Sequence, residues 1–232
     1  YTPWCDEHGA VIDDGTVSRI DEQLFRWTAA DPSLRWFRQN AAGLRVSVED
    51  VSEEIAALAL QGPTSARVLR AASDVNLESL KYFRVASGTI GGVPVDISRT
   101  GYTGDLGYEV WVKPQDALWL WDTLLKVGEP YKIAPMGSAA LNIARIEAGF
   151  ILVDVDYLAA NYAVRPTQRE SPYEAGIGWT ANLKKDCYFV GKRALQREKA
   201  QNLSRHILIG LEIEGRKPAA GSFIYADKPG KQ

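Results

Sequence analysis

One short stretch, residues 100–109, combines glycines, hydroxyl groups and a carboxylate at close spacing. It reads Thr-Gly-Tyr-Thr-Gly-Asp-Leu-Gly-Tyr-Glu and leads directly into the apolar run Val110-Trp111-Val112. Glycines at this density let the backbone adopt positive φ angles or approach a ligand closely. A loop that leads into a strand and presents the fixed carboxylate of Glu109 suits a flat, nitrogen-rich ligand. A tight turn into a strand explains the same residues without any ligand.

The other residues that could take part in chemistry give weaker signals. Asp14-Gly15 is typical of a hairpin turn, and that structural role covers Asp13 as well. The sequence contains no G-x-S-x-G elbow, no P-loop, no zinc-ligand spacing and no G-x-G-x-x-G after a strand. The two histidines, His8 and His206, are far apart in sequence. No common nucleophile, nucleotide site or metal site is therefore indicated.

The composition is that of a chain that can bury a large core. With 232 residues and 46% hydrophobic content, it is long enough for one large domain or two smaller ones. A net charge of −2 and scattered basic residues give no reason to expect nucleic acid or an anionic membrane as a partner. No apolar run approaches the roughly 18 residues that cross a bilayer, and cysteines are few. We therefore expect a protein of a reducing, cytoplasmic compartment.

The residues before position 62 predict strands around one short helix. Residues 9–30 read as a hairpin-like pair that turns at Asp14-Gly15. A helix begins at Asp31-Pro32, with the aspartate as its N-cap, and ends at Gly43. Two further strands are predicted, Leu44–Val48 and Ile55–Leu60.

Beyond Gly62 the pattern alternates between strand pairs and single helices. Residues 85–98 predict a hairpin that delivers the chain into the 100–109 stretch. Trp119 and Trp121 are predicted as core residues of a helix that begins near Pro114. The other predictions are helices after Pro63, over 135–149 and over 189–200, a long connection over 150–172, and a strand over His206–Ile213. Without regular βαβ alternation, this order predicts an α+β fold.

Several short motifs follow one another in a fixed order along the chain. They lie at residues 9–14 (G-A-V-I-D-D), 59–63 (A-L-Q-G-P), 100–109, 145–149 (R-I-E-A-G), 172–179 (P-Y-E-A-G-I-G-W) and 189–195 (F-V-G-K-R-A-L). In order and spacing they resemble the aminomethyltransferase (glycine cleavage T-protein) family of tetrahydrofolate-dependent one-carbon transferases. The resemblance runs from Tyr1 to about Gly215, with Asp105 where the family usually has glutamate.

The resemblance implies a three-lobed α+β cloverleaf with folate in a central channel. Residues 1–60 would form part of one lobe, 61–160 a second lobe, 161–200 a segment that returns to the first lobe, and 201–232 the start of a β-rich third lobe. Against the family pattern the chain would be incomplete at both ends, and Met136 is its only methionine.

The resemblance also implies roles for individual residues. Asp13 falls at the family's catalytic aspartate, beside the folate nitrogen that accepts the carbon unit. A fixed negative charge there would stabilise the cation that develops during transfer. Glu109 falls where the pterin is held, because one carboxylate accepts the ring N–H and the exocyclic amine side by side. Tyr1 and Tyr102 would form aromatic walls of the channel. The structural alternatives are a turn aspartate for Asp13 and a solvent-facing strand residue for Glu109.

Arg145 and Trp179 complete the site that the resemblance implies. Arg145 would pair with the carboxylates of the folate tail, although an arginine within a helix more often forms a surface or inter-lobe ion pair. Trp179 would close the channel or belong to the core.

The donor of the carbon unit stays open because the chain departs from the family pattern in several places. Leu141-Asn142 replaces an R-D pair, Thr28 replaces an asparagine, and the connection over 153–171 is longer than in the glycine cleavage enzyme. An aminomethyl group on a lipoyl carrier protein is therefore one candidate among several. The others are small sulfonium compounds, methylated amines and methoxy-arenes.

Two alternatives lie outside transferase chemistry. Residues 185–192 (K-D-C-Y-F-V-G-K) faintly resemble a signature of folate-binding relatives that act in iron–sulfur protein assembly, although the segment is one residue longer and lacks the final glutamine. A non-catalytic fragment of a longer protein is the third reading of the chain.

Overall fold

The computed structural model describes residues 1–31, 33–213 and 215. Two separate antiparallel sheets organise this part of the chain. The first sheet has the order β1-β2-β3 and consists of β1 (Thr2–Cys5), β2 (Val11–Arg19) and β3 (Phe25–Ala29). The second has the order β4-β7-β6-β5 and consists of β4 (Ala56–Gln61), β5 (Val85–Ile90), β6 (Val93–Ser98) and β7 (Gly107–Val112).

The predicted strand pair in residues 9–30 is confirmed, but the predicted turn at Asp14-Gly15 is wrong. Both residues lie inside β2, and the chain turns at 20–24, where Asp21 and Leu24 exchange backbone hydrogen bonds. Gly15 pairs with β1 on one side and with β3 on the other. A Cβ atom there would lie 2.1 Å from the carbonyl oxygen of Thr28. This glycine therefore serves close strand packing and not a turn.

The largest apolar core lies between the second sheet and the two helices that pack on it, residues 65–72 and 117–128. The hairpin predicted over 85–98 is confirmed and turns at Gly91-Gly92, both with positive φ. Ile55–Leu60 was predicted as a strand and corresponds to β4. The fully buried side chains of this core include Leu69, Ile90, Ile97, Val110 and Leu120.

The helices are α1 (Leu34–Asn40), α2 (Ser65–Ala72), α3 (Ala117–Gly128), α4 (Ser138–Glu147) and α5 (Lys192–Gln201). Helix α3 buries Leu120 and Leu124. The prediction of Trp119 and Trp121 as core residues is wrong, because their side chains are 39% and 40% exposed. The connection predicted over 150–172 is confirmed, apart from one short 3-10 turn.

Three further predictions about secondary structure are wrong. Helix α1 has Ser33 and not Asp31 at its N-cap, and Asp31 instead accepts the Ser33 N–H at 3.3 Å. Leu44–Val48 and His206–Ile213 form no strands, because neither finds a hydrogen-bonding partner among the described strands. The predictions for Pro32 and for the tail from 216 onward fall outside the described residues.

The lobe boundary predicted between residues 60 and 61 falls within β4 and stays a prediction. Strand β4 pairs with β7 and therefore belongs to the second sheet. Residues of the 161–200 segment contact the first sheet, where the Val11 N–H donates to the Glu170 carbonyl at 2.8 Å. Among the described helices, none combines the length and apolar character needed to cross a membrane.

Candidate functional site

The carboxylate of Glu109, near the start of β7, is held by hydroxyl groups at the end of β6 and just after it. Its Oε2 accepts the Thr100 hydroxyl at 2.5 Å and the Ser98 hydroxyl at 3.3 Å. Trp111 in turn donates its indole N–H to the Ser98 oxygen at 3.2 Å. Among the described residues, no lysine, arginine or histidine pairs with Glu109. The site therefore presents an oriented carboxylate that no cation within residues 1–31 and 33–213 neutralises.

Gln61, which the sequence did not single out, shapes the loop that carries Glu109. Its amide N–H groups donate to the carbonyls of Tyr108 at 3.1 Å and Thr100 at 3.4 Å. A Cβ atom on Gly101 or on Gly107 would lie 1.9 Å from the Gln61 side-chain oxygen. The glycines of the loop are thus required by the Gln61 side chain that passes between them. The motif at residues 59–63 and the 100–109 stretch are two parts of one structure.

We expect Gly107→Ala to destabilise the protein by about 1–3 kcal/mol, because the new Cβ displaces the Gln61 amide and breaks its hydrogen bonds. Urea unfolding measures this effect. Gly137→Ala is the matched control, since no atom lies within 4 Å of a Cβ at that position. Adding Gln61→Ala to Gly107→Ala should remove the clash. If the double variant were much less stable than Gln61→Ala alone, the clash with the Gln61 side chain would not be the reason why Gly107→Ala destabilises the protein.

Tyr102 joins the 100–109 loop to the connection that follows α4. Its hydroxyl donates to the Ile151 carbonyl, and its ring stacks on Phe150 with centroids 5.6 Å apart. Burial, opposed by the charge of Arg145 and reinforced by the charges of Asp14 and Asp156, raises the pKa of Tyr102 to about 12. The connection that accepts the Tyr102 hydroxyl at Ile151 also carries Tyr157, whose hydroxyl donates to Asp14 of strand β2 at 2.6 Å, so this connection links the 100–109 loop to the first sheet.

Asp13 and Asp14 have different surroundings because successive residues of a strand point to opposite faces of the sheet. Asp13 is 2% exposed and accepts the backbone N–H of Asp14 at 2.7 Å and that of Asp31 at 3.3 Å. Its partner across the β1–β2 ladder is Trp4, which belongs to the apolar cluster under α1. Asp13 thus supports the backbone on the α1 side of the sheet.

Asp14 lies on the opposite face, among tyrosines. Its Oδ2 accepts the hydroxyl of Tyr1 and its Oδ1 accepts the hydroxyl of Tyr157, both at 2.6 Å. The Tyr1 ring stacks on Trp179 with a centroid distance of 6.0 Å, and Trp179 is 74% exposed. The structure therefore brings Tyr1, Trp179 and Asp14 together. Tyr157 has no recognisable signal in the sequence, because it lies in a connection with weak periodicity.

Burial raises the pKa of Asp13 to about 6, an effect that the backbone N–H groups of Asp14 and Asp31 oppose and the charges of the same two residues reinforce. Because the folded-state pKa exceeds the ordinary aspartate value of 3.8, this residue contributes stability at low pH that is lost as pH rises through about 6.

We therefore expect the stability of Asp13→Asn relative to the wild type to increase by up to about 1.4 kcal/mol per pH unit between about pH 4 and pH 6. Above about pH 6 the difference should become constant. Urea unfolding of both proteins at closely spaced pH values measures it. Parallel stability curves over this range would contradict a raised pKa of Asp13.

Arg145 is the only buried residue of α4 and binds protein groups. Its Nη1 donates to the carboxylate of Asp156 and to the Phe150 carbonyl at 3.1 Å, and its Nε donates to Asn142 at 2.9 Å. These contacts fix the start of the connection that carries Phe150 and Tyr157. The contact with a folate tail predicted for Arg145 stays a prediction.

A cavity of about 330 Å³ lies beside the glycine-rich loop. The residues that line it are Tyr82, Arg99, Thr100, Gly101, Gly104, Asp105, Leu106, Gly107 and Phe150. The carboxylates of Asp14 and Glu109 are not part of its lining. The candidate site is therefore defined by the two carboxylates and the aromatic rings around them, and the cavity borders only one of its loops.

Taken together, the fold and the site define an α+β domain that presents two carboxylates with hydroxyl donors beside stacked aromatic rings. The chain belongs to the GCVT N-terminal domain family, whose model matches residues 1–185. The family resemblance and the α+β class predicted from the sequence are thereby confirmed.

Individual relatives agree with this assignment. The chain is 39% identical over 222 residues to an aminomethyltransferase of Halothermothrix orenii, covering 93% of the chain and 58% of the relative. It is 40% identical over 226 residues to a trimethylamine-oxide aldolase of Ruegeria pomeroyi, covering 92% of the chain and 27% of the relative. The chain thus spans little more than half of the first relative and about a quarter of the second.

A solved structure shows the same fold. The glycine cleavage system aminomethyltransferase T from Bartonella henselae superposes with a TM-score of 0.69 at 24% sequence identity, over 86% of this chain and 52% of that one. At this identity the likeness establishes the fold and not the activity.

Proposed function

We propose that this chain carries the tetrahydrofolate site of an enzyme that transfers a methylene or methyl unit from a small amine or methylated donor to folate. The observation that carries the proposal is the Glu109 carboxylate, oriented by Thr100 and Ser98 and free of a cationic partner within the described part of the chain. Membership of the GCVT N-terminal domain family supports tetrahydrofolate as the ligand.

The chemistry of the pterin ring explains why this carboxylate is suitable. The ring offers an N–H and an exocyclic amine side by side, and a carboxylate accepts both with charge assistance. Hydroxyl donors on Oε2 orient Glu109 without removing its charge, whereas a lysine or arginine would compete with the pterin for the same oxygens. The stretch 100–109 thus acts as the pterin-recognition loop.

For the reacting carboxylate, the geometry favours Asp14 over its neighbour Asp13. Both oxygens of Asp13 are occupied by backbone N–H groups on the α1 side of the sheet. Asp14 is only half-buried and faces Tyr1 and Tyr157. A negative charge on this face can stabilise the cation that develops on the donor carbon or on the accepting amine. The role predicted for Asp13 is then taken by the second aspartate of the motif.

The aromatic side chains would form the walls around the ligand. Tyr102 belongs to the loop that carries Glu109, and the Tyr1 ring, stacked on Trp179, carries the hydroxyl that donates to Asp14. In this arrangement Arg145 acts by fixing the connection behind Tyr102, in addition to any contact with the folate tail. The cloverleaf with a central channel, its three predicted lobes and the cytoplasmic location belong to the same proposal.

The candidates for the donor and the partner protein come from the relatives. The relatives named above include an aminomethyltransferase and a trimethylamine-oxide aldolase, so both a lipoyl carrier protein and a small methylated amine are candidates. Neither relative supports the alternative role in iron–sulfur protein assembly.

The proposal is tested by calorimetric titration of the intact protein with tetrahydrofolate, followed by a donor screen. The screen covers methylated amines, sulfonium compounds, methoxy-arenes and an aminomethylated lipoyl carrier, and reads the conversion of tetrahydrofolate to its methyl or methylene form. Binding of tetrahydrofolate with turnover of one donor class is the expected result. Absence of tetrahydrofolate binding would overturn the proposal.

A further inference from the structure

Tyr157 is a buried residue whose hydroxyl reaches the candidate reacting carboxylate. Its O–H donates to Asp14 Oδ1 at 2.6 Å, and the O–H of Tyr1 donates to Asp14 Oδ2 at the same distance. Each oxygen of Asp14 therefore has one hydroxyl donor. Within the described residues, no lysine, arginine or histidine pairs with Asp14. Neutral donors, and not a cation, fix this carboxylate.

The Tyr157 ring has little freedom to move. It packs with Val11, Ile151, Ala175 and Ile177 in an apolar cluster under the first sheet. Its backbone carbonyl accepts the Asp154 N–H at 2.7 Å. Burial, together with the charge and hydrogen bond of Asp14, raises the pKa of Tyr157 far above its ordinary value, so the hydroxyl keeps its proton. The donor that faces Asp14 is therefore held in position and permanently protonated.

The loop that carries Tyr157 is fixed from two further directions. Asp156 accepts the Leu152 N–H at 2.8 Å and the guanidinium of Arg145 from α4. The hydroxyl of Tyr102 donates to the Ile151 carbonyl of the same loop. One loop, residues 150–157, thus touches the pterin-recognition loop at one end and the reacting carboxylate at the other.

We propose that Tyr157 is a positioning residue, whose hydrogen bond selects the Asp14 rotamer that faces the folate, and that the 150–157 loop sets the geometry of Asp14 relative to Tyr102. The inference rests on the proposed function, because it assigns Asp14 the reacting role. Without the Tyr157 hydroxyl, the carboxylate keeps only the Tyr1 donor and can rotate about its side-chain torsions. A charge that is already oriented stabilises a transition state more than a charge that must first reorient.

The test uses Tyr157→Phe, which removes one oxygen and keeps the ring in its cluster. We expect kcat to fall about tenfold, the value of one hydrogen bond to a charged group, with little change in the KM for tetrahydrofolate. Tyr162→Phe is the matched control, since Tyr162 lies in the same connection and is 57% exposed. It should leave kcat and KM at their wild-type values.

A double-variant cycle with Asp14→Ala separates positioning from a general structural role. Once Asp14 is absent, Tyr157→Phe should have no further effect on kcat. Equal kcat for Tyr157→Phe and the wild type, or the same fold-loss with and without Asp14, would overturn the inference.

The same cycle is measured by urea unfolding, without donor or folate. We expect a coupling of about tenfold in the unfolding equilibrium constant between positions 14 and 157. Additive effects on unfolding would overturn the inference by themselves. Because this measurement needs no turnover, a donor screen that finds no activity would count against the proposed function alone.

Discussion

Replacing Asp14 with asparagine lowers turnover by a factor of about 100 or more, while tetrahydrofolate still binds with close to its wild-type affinity. The amide has the shape of the carboxylate and still accepts a hydroxyl hydrogen bond from Tyr1 or Tyr157. It carries no negative charge, so the cation that develops during transfer loses its electrostatic partner. Binding is retained because pterin recognition rests on Glu109. Steady-state kinetics with the donor found in the screen, combined with calorimetry, measures both quantities.

Asp13→Asn is the matched control at the neighbouring position. It keeps one oxygen for one of the two backbone N–H groups that Asp13 accepts, and it removes a carboxylate that faces α1. We expect turnover to fall by about tenfold or less. The opposite ranking, with Asp13→Asn losing more than 100-fold and Asp14→Asn little, would return the catalytic role to Asp13 as the sequence predicted.

The choice between these two aspartates shows why the sequence predicts a motif more readily than a role. Alternation along a strand separates neighbouring side chains onto two faces, but it does not say which face meets the ligand. Here the answer depends on an irregularity of the β1–β2 ladder between Trp4 and Cys5. It also depends on Tyr157, which lies 143 residues from Asp14 along the chain. Neither feature leaves a local signal in the sequence.

Local patterns were informative where local interactions decide the structure. The hairpin at Gly91-Gly92 needs positive φ at both positions, and glycine supplies it. Glu109 lies in the strand predicted after the glycine-rich loop, so its position was accessible from the sequence. His206–Ile213 has a strand-like pattern but no partner strand among the described residues. A strand forms only when it hydrogen-bonds to a neighbouring strand, and its own residues do not show whether such a neighbour is present.

Helix α3 illustrates a further limit. Its apolar residues surround most of the helix, so their period does not identify the buried side. The structure buries Leu120 and Leu124 against the second sheet and leaves both tryptophans, 119 and 121, partly exposed. Gln61 is a related case, because its role becomes visible only when Gly101 and Gly107 close around its amide. Side-chain contacts across the sheet, and not propensity, determine these positions.

Replacing Glu109 with glutamine weakens tetrahydrofolate binding about 10- to 100-fold, since a neutral amide cannot accept two N–H groups with charge assistance. Thr100 and Ser98 can still donate to the amide oxygen, so the loop keeps its shape and the stability of the fold should change little. Isothermal titration calorimetry gives the dissociation constant, and urea unfolding checks the fold.

Glu129→Gln, at an exposed position outside the site, is the matched control and should bind as the wild type does. Thr100→Val should weaken binding by a smaller factor, because it frees the carboxylate to rotate but leaves its charge. If Glu109→Gln bound tetrahydrofolate as tightly as the wild type, Glu109 would be a structural residue of the strand and the pterin would have to be recognised elsewhere.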